Sequence, residues 1–337
     1  MASESVSFAR AELLKGLAEG GIRLAFQPQI DLGSQQIVGF EGVARWHHEK
    51  LGVLTPGLFL GLAAREGLLS AISRTLIADA AKAVCSWRAR GYRVDVGINL
   101  SASDMTDPGF GADILSAVRA HGALPHWIVL EASEEALAYA GEPAFVGLEI
   151  LAGMGFKIAL DAKGPPIVSL DKRARSLFCQ LKCGGTTMLS VASQLHSVGA
   201  SGFMRRLEAA RAADLPVVAV GAESQSAMDL CATLGFTRLQ GKAISMPVSI
   251  ERCVQFLERI GVHSPETQPV LETLPESKLS SQLPSKLPPM LPANMPPQDG
   301  PTFVASPPKA IAQAAGLTLF SLDFASNDDA TREVEAA

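Results

Sequence analysis

Apolar positions between residues 22 and 262 fall into two kinds of segment that alternate along the chain. Short β-rich runs occur at 23–32, 36–46, 94–100, 127–133, 157–161, 178–182, 216–221 and 238–244. Alanine-rich stretches at 70–90, 142–152 and 201–213 separate several of them and predict helices. Strands alternating with helices predict a mainly parallel sheet with helices laid over it. The length suits a closed (β/α)8 TIM-like barrel, which typically takes about 250 residues. An open doubly wound sheet is the structural alternative. The first two runs are joined by a short turn at Gly33 and Ser34, too short for a parallel crossover, so that pair is expected to be antiparallel. Ahead of them, residues 5–20 predict a short helix with Leu13, Leu14 and Leu17 on one side, stopped at Gly20 and Gly21. The expected organisation is a helix packed on the barrel over 1–21, the barrel over 22–262, and a tail over 263–337.

The tail departs in composition. Residues 265–308 hold 12 of the chain's 21 prolines, which predicts a largely disordered or polyproline-like segment. Apolar character returns at 314–324, either as a docking segment or as a weakly ordered end. The formal net charge is -5, and the densest basic run, Lys172, Arg173 and Arg175, reads as a solvated helix face. A nucleic-acid polymer is therefore not an expected partner. Five cysteines in irregular spacing, with no leader ahead of them, indicate a reduced, cytoplasmic protein. Cys179 and Cys183 have no second pair to complete a zinc site. His47 and His48 read as turn residues. No apolar run reaches the roughly 18 residues of a membrane span.

Chemistry enters at the strand ends. In a barrel of this kind the site gathers at the C-terminal ends of the strands. Glu41, Asn99, Glu131, Asp161, Lys182 and Gln240 fall there. Three carboxylates and an amide oxygen are hard donors suited to Mg2+ or Mn2+. Without a cation such carboxylates repel one another and raise each other's pKa.

Short blocks in fixed order carry a family resemblance. Gln27-Pro28 and Val38-Gly39-Phe40-Glu41-Gly42-Val43-Ala44-Arg45-Trp46 resemble the opening QP…VG-x-EAL-x-RW of the EAL domain family. Thr55 to Phe59 is similar to its P-x-x-F step, Asn99-Leu100-Ser101 to its NLS, and Glu131-Ala132-Ser133-Glu134 to E-x-T-E. Residues 161–170 read DAKGPPIVSL against DDFGTGYSSL. Leu181-Lys182-Cys183-Gly184 stands where LKID is usual, and residues 218–223 where VAEGVE is usual. Gln240-Gly241 and Pro247 match QG…P. The set spans residues 22–247.

The resemblance implies a cyclic di-GMP phosphodiesterase fold using divalent metal ions. It implies that Glu41, Asn99, Glu131 and Asp161 ligate a first metal. Lys182 is placed near the attacking water or phosphate, Arg45 on a phosphate, and Gln27 and Gln240 on the nucleotide. Glu134 and Glu223 are expected to support the site from behind. Two departures bear on turnover. Ala162 stands in place of a second-metal ligand, and Val220 in place of the glutamate that handles the water's proton. Neither side chain binds a cation or exchanges a proton. Pro165 and Pro166 also stiffen the following loop. The expectation is a degenerate member with one divalent ion or none, acting as a cyclic di-GMP receptor or through a protein partner. An active phosphodiesterase yielding linear pGpG and a nucleotide-independent interaction protein are the alternatives. A homodimer is expected by analogy only.

Overall fold

The computed structural model describes residues 9–163, 167–184 and 198–260. They lie in the first of the two units into which the chain divides, Met1–Ser264 and Pro265–Ala337. The expectations for residues 5–8, for Pro165 and Pro166, and for the tail fall outside the described residues.

A helix α1 (Arg10–Ala18) precedes β1 (Ile22–Asp31) and β2 (Ile37–His48). The antiparallel pairing follows from the tight Asp31–Gln36 turn and runs from Ile22 opposite Trp46 to Ile30 opposite Ile37. His47 and His48 belong to β2, not to a turn. They pair with a short strand β3 (Gly52–Leu54) that the sequence pattern did not suggest. Three apolar positions on a hairpin arm are too few to register as a periodic segment.

Helices α2 (Pro56–Arg65) and α3 (Leu69–Ala89) follow. In α3, Ile72, Leu76, Ile77, Ala80, Ala81, Val84 and Trp87 recur at helical spacing and are buried, which gives this helix one apolar face. Trp87 seats that face on the barrel, with ring centroids 5.1 Å from Phe26 and 4.8 Å from Phe40.

Strand and helix then alternate. The order is β4 (Asp95–Leu100), α4 (Ala102–Thr106), α5 (Phe110–Ala120), β5 (Ile128–Ser133), α6 (Glu134–Ala140), α7 (Glu142–Gly153) and β6 (Lys157–Ala162). It continues through α8 (Lys172–Leu177), β7 (Phe178–Gly184), α9 (Val198–Ala212), β8 (Val217–Val220), α10 (Gln225–Leu234), β9 (Arg238–Gln240) and α11 (Ile250–Ile260).

The sheet closes. Its order is β1-β9-β8-β7-β6-β5-β4-β2-β3, and β1 also pairs with β2, so eight strands form a barrel with β3 as an appendage. β1 runs antiparallel to both neighbours, β2 and β9, while β2 and β4 to β9 run parallel. The chain adopts the (β/α)8 alternative, not the open sheet. Strands β5 and β6 are covered by helices outside and by side chains inside, so they are buried almost throughout. Strand β9 ends at Gln240, short of the predicted 244, because Gly241 passes against the backbone of Ala222. A Cβ at Gly241 would lie 2.1 Å from the Ala222 carbonyl oxygen. Among the described residues no helix is long and apolar enough to cross a membrane.

Candidate functional site

Side chains alternate along a strand, so every second residue faces the barrel axis. Gly39 and Glu41 on β2, Gly97 and Asn99 on β4, Glu131 on β5, Asp161 on β6, Gln180 and Lys182 on β7 and Gln240 on β9 occupy such alternating rows. Six predicted residues, Glu41, Asn99, Glu131, Asp161, Lys182 and Gln240, thereby meet inside the C-terminal mouth.

Lys182 is the hub. Its side chain is buried, and Nζ donates to Glu41 Oε2 at 2.6 Å and to Glu131 Oε2 at 2.5 Å. Glu41 also accepts from Asn99 Nδ2 at 2.8 Å and from Gln240 Nε2 at 2.6 Å. Gln240 Nε2 donates in addition to Gln27 Oε1, and its Oε1 accepts from Gln29 Nε2, both at 3.0 Å. Gln27 thus reaches the site through Gln240, and its own amide donates to the Ser245 carbonyl at 3.0 Å. Gln29 is a member of this network that the sequence did not single out; its inward place two residues after Gln27 was the available signal.

Burial by itself raises the pKa of Glu41, but the Lys182 ammonium and three hydrogen bonds outweigh it and hold the carboxyl at about 2. Glu131 is wholly enclosed. Loss of solvent pushes it up to about 8 despite the pull of Lys182. Burial would lower the ammonium of Lys182, yet Glu131, Glu41 and Asp161 around it raise it above its ordinary value.

Room for Glu131 comes from Gly97. A Cβ on Gly97 would lie 2.1 Å from Glu131 Oε1. A cavity of about 130 Å3 continues below Glu131 into the barrel, lined by Gln29, Asp95, Gln180 and Arg238 among others.

Asp161 is buried, and its Oδ2 pairs with Lys163 Nζ at 2.9 Å. Glu134, also buried, faces away from this cluster. Its carboxylate accepts from the backbone N–H of Ile167 at 2.8 Å and Val168 at 2.5 Å, and is clamped by the Arg206 guanidinium. It anchors the chain after β6. Neither Lys163 nor Arg206 was anticipated. Two predicted residues stand apart from the cluster. Arg45 is half-buried and donates to the Ala44 carbonyl at 2.9 Å, and loss of solvent lowers its pKa. Glu223 is exposed and pairs with Lys242 at 3.5 Å. Gly221, with φ at +84°, turns the chain outward just before it. Ala162 is buried at the end of β6, and Val220 ends β8 opposite Gly184 and Gln240.

The donor set fits one hard cation by its chemistry. Three carboxylates and the Asn99 amide surround the mouth, and Glu131 Oε1 and Asp161 Oδ1 are buried without a hydrogen-bond partner among the described residues. Yet no three acidic, imidazole or thiol groups among the described residues lie close enough together to enclose an ion. Lys182 Nζ stands between Glu41 and Glu131, so an ion there requires the ammonium to withdraw. Ala162 and Val220 offer a cation no donor.

This barrel, with its one antiparallel strand and an acidic cluster at the mouth, carries the ordered blocks noted above. The sequence matches the EAL domain family over residues 10–247. The chain belongs to the EAL domain family. MucR of Pseudomonas aeruginosa, a bifunctional diguanylate cyclase/cyclic di-GMP phosphodiesterase, is 27% identical over 243 residues, covering 72% of this chain and 35% of MucR. Rv1357c of Mycobacterium tuberculosis is 33% identical over 171 residues, covering 50% of this chain and 56% of that protein. The chain thus spans between about a third and just over half of these relatives. Among solved structures, the PaMucR phosphodiesterase in complex with c-di-GMP superposes with a TM-score of 0.66 at 26% identity, covering 72% of this chain and 98% of that one. The FimX EAL domain from Pseudomonas aeruginosa bound to c-di-GMP gives 0.62 at 21% identity, covering 71% and 96%, a likeness that speaks for the fold.

Proposed function

We infer that this EAL domain is a regulatory receptor that binds cyclic di-GMP and does not hydrolyse it. One observation carries the reading. At the two mouth positions where the family pattern expects an aspartate and a glutamate, the chain has Ala162 and Val220. No group at either position holds a cation or takes a proton from a water. Losing a general base alone costs about 10²–10⁴-fold in rate. Binding requires less. The Glu41, Asn99, Gln27 and Gln240 network persists as a built polar floor, and the PaMucR structure holds c-di-GMP on the same fold. In this reading residues 22–262 carry the nucleotide, and the tail at 263–337 is left for a protein partner.

The test is calorimetric titration of cyclic di-GMP into the full chain with Mg2+, followed by chromatography of the incubated mixture. Saturable binding with no linear pGpG above background is the expected result. Turnover at a rate ordinary for the family sinks the receptor reading in favour of an active phosphodiesterase. Absence of binding points to a nucleotide-independent interaction protein.

A further inference from the structure

We propose that Lys163 is a phosphate-binding residue at the mouth of this barrel, and that its ammonium lets the site hold the phosphodiester of a cyclic dinucleotide without a divalent ion. This rests on the receptor reading above and deepens it.

The sequence puts a lysine where the family pattern has a phenylalanine, two residues after Asp161. Continuing the alternation of β6, positions 157, 159, 161 and 163 form one row, so Lys163 follows Asp161 onto the inward side. The structure bears out that placement. Nζ lies 2.9 Å from Asp161 Oδ2, while the Lys163 side chain is 62% exposed and that of Asp161 only 4%. The side chain therefore reaches from the exposed rim of the mouth to a buried carboxylate. A ligand entering the mouth meets the cation first and the acid behind it.

The neighbouring strand is adapted to this lysine. Gly184 ends β7 where the family pattern has an aspartate. A Cβ there would lie 3.3 to 3.5 Å from the Cα, Cγ and Cβ of Lys163. An aspartate would crowd the lysine stem and place a third carboxylate beside the ammonium. Gly184 in turn pairs with Val220, whose position has lost the glutamate. The departures at 162, 163, 184 and 220 thus sit together on the ends of three adjacent strands.

Their combined effect is electrostatic. Against the family pattern, three carboxylates are gone and one ammonium is gained. Counting Glu41, Glu131, Asp161, Lys182 and these four positions with every titratable group in its charged form, the formal charge of the mouth moves from minus five to minus one. A rim of minus five repels a phosphodiester unless metal ions intervene. A rim of minus one that carries the Lys163 side chain receives it directly. Lys182 supplies the same economy deeper in, between Glu41 and Glu131.

The experiment titrates cyclic di-GMP into the full chain in EDTA and, separately, in Mg2+, for wild type, Lys163→Met and Lys163→Arg. Thermal unfolding without nucleotide controls for folding. Wild type is expected to bind in EDTA within about three-fold of its Mg2+ affinity. Lys163→Met should bind at least about ten-fold more weakly in EDTA, the worth of one charge-assisted hydrogen bond. Lys163→Arg should retain most of the affinity, and the unliganded melting temperature should be little changed in either variant. Binding by wild type only in Mg2+, or undiminished binding by Lys163→Met, overturns this proposal and leaves the receptor reading standing. No binding by wild type in either buffer overturns both.

Discussion

At Lys182 one buried ammonium serves two carboxylates, Glu131 wholly enclosed and Glu41 at the edge of solvent. Each partner is tolerable there only because of the other: a buried charge without its counterion is far costlier than a pair. Lys182→Met therefore leaves Glu41 and Glu131 facing each other, and is expected to cost about 3–5 kcal/mol. Adding Glu131→Gln removes one of the two stranded carboxylates and should recover at least about 1 kcal/mol, a coupling expected of directly touching groups. Urea unfolding in EDTA checks both, and a Lys182→Met protein within 1 kcal/mol of wild type would contradict the hub role. The residues of this hub were legible in the sequence because strand period and strand end together name them. Lys163 was not, because its segment reads as a loop altered by prolines, and only coordinates show its ammonium returning to Asp161. Glu223 was misplaced for a backbone reason. The left-handed glycine at 221 sends the chain out of the mouth before the carboxylate is reached.

Among elements, the informative joint is the one between β5, the chain after β6, and α9. Ser133 caps α6, accepting from the Ala136 N–H at 3.1 Å, and Glu134 is buried in the first helical turn. From there it collects the N–H groups of Ile167 and Val168 and the Arg206 guanidinium. Arg206 also donates to the Val168 carbonyl at 2.6 Å. One buried ion pair thus fastens a segment of irregular backbone, whose polar groups need partners, to a regular helix. Arg206→Met strands Glu134 and is expected to cost about 3 kcal/mol. Its local signature is faster hydrogen exchange at Ile167 and Val168, with the amides of β4 unaffected; unchanged exchange at both positions would rule out the anchoring role. Helix α9 itself was legible from its alanine-rich pattern over 201–213. Its function was not, since a buried arginine inside an amphipathic stretch looks the same in sequence as a solvated one.

Over the whole molecule, the choice between open and closed sheet was left unsettled by strand count and length. It is decided by β1, which pairs antiparallel with β2 on one side and β9 on the other and so joins the ends of the sheet. Closure is what turns separate sequence departures into one altered face. Positions 162–163, 184 and 220 are far apart along the chain but lie at or just past the ends of β6, β7 and β8, side by side. Under the receptor reading, placing acids at two of them should not produce turnover. Ala162→Asp with Val220→Glu returns two carboxylates to a rim where Lys163 still neutralises Asp161 and Gly184 supplies no acid. The double variant is expected to produce linear pGpG within about ten-fold of the wild-type background. Adding Lys163→Phe and Gly184→Asp rebuilds the acidic rim as a unit. That quadruple variant is expected to gain at least about 10²-fold with Mn2+ present, the lower range for a recovered general base. Chromatographic product analysis decides it: full gain in the double variant would mean that Lys163 and Gly184 are bystanders to turnover.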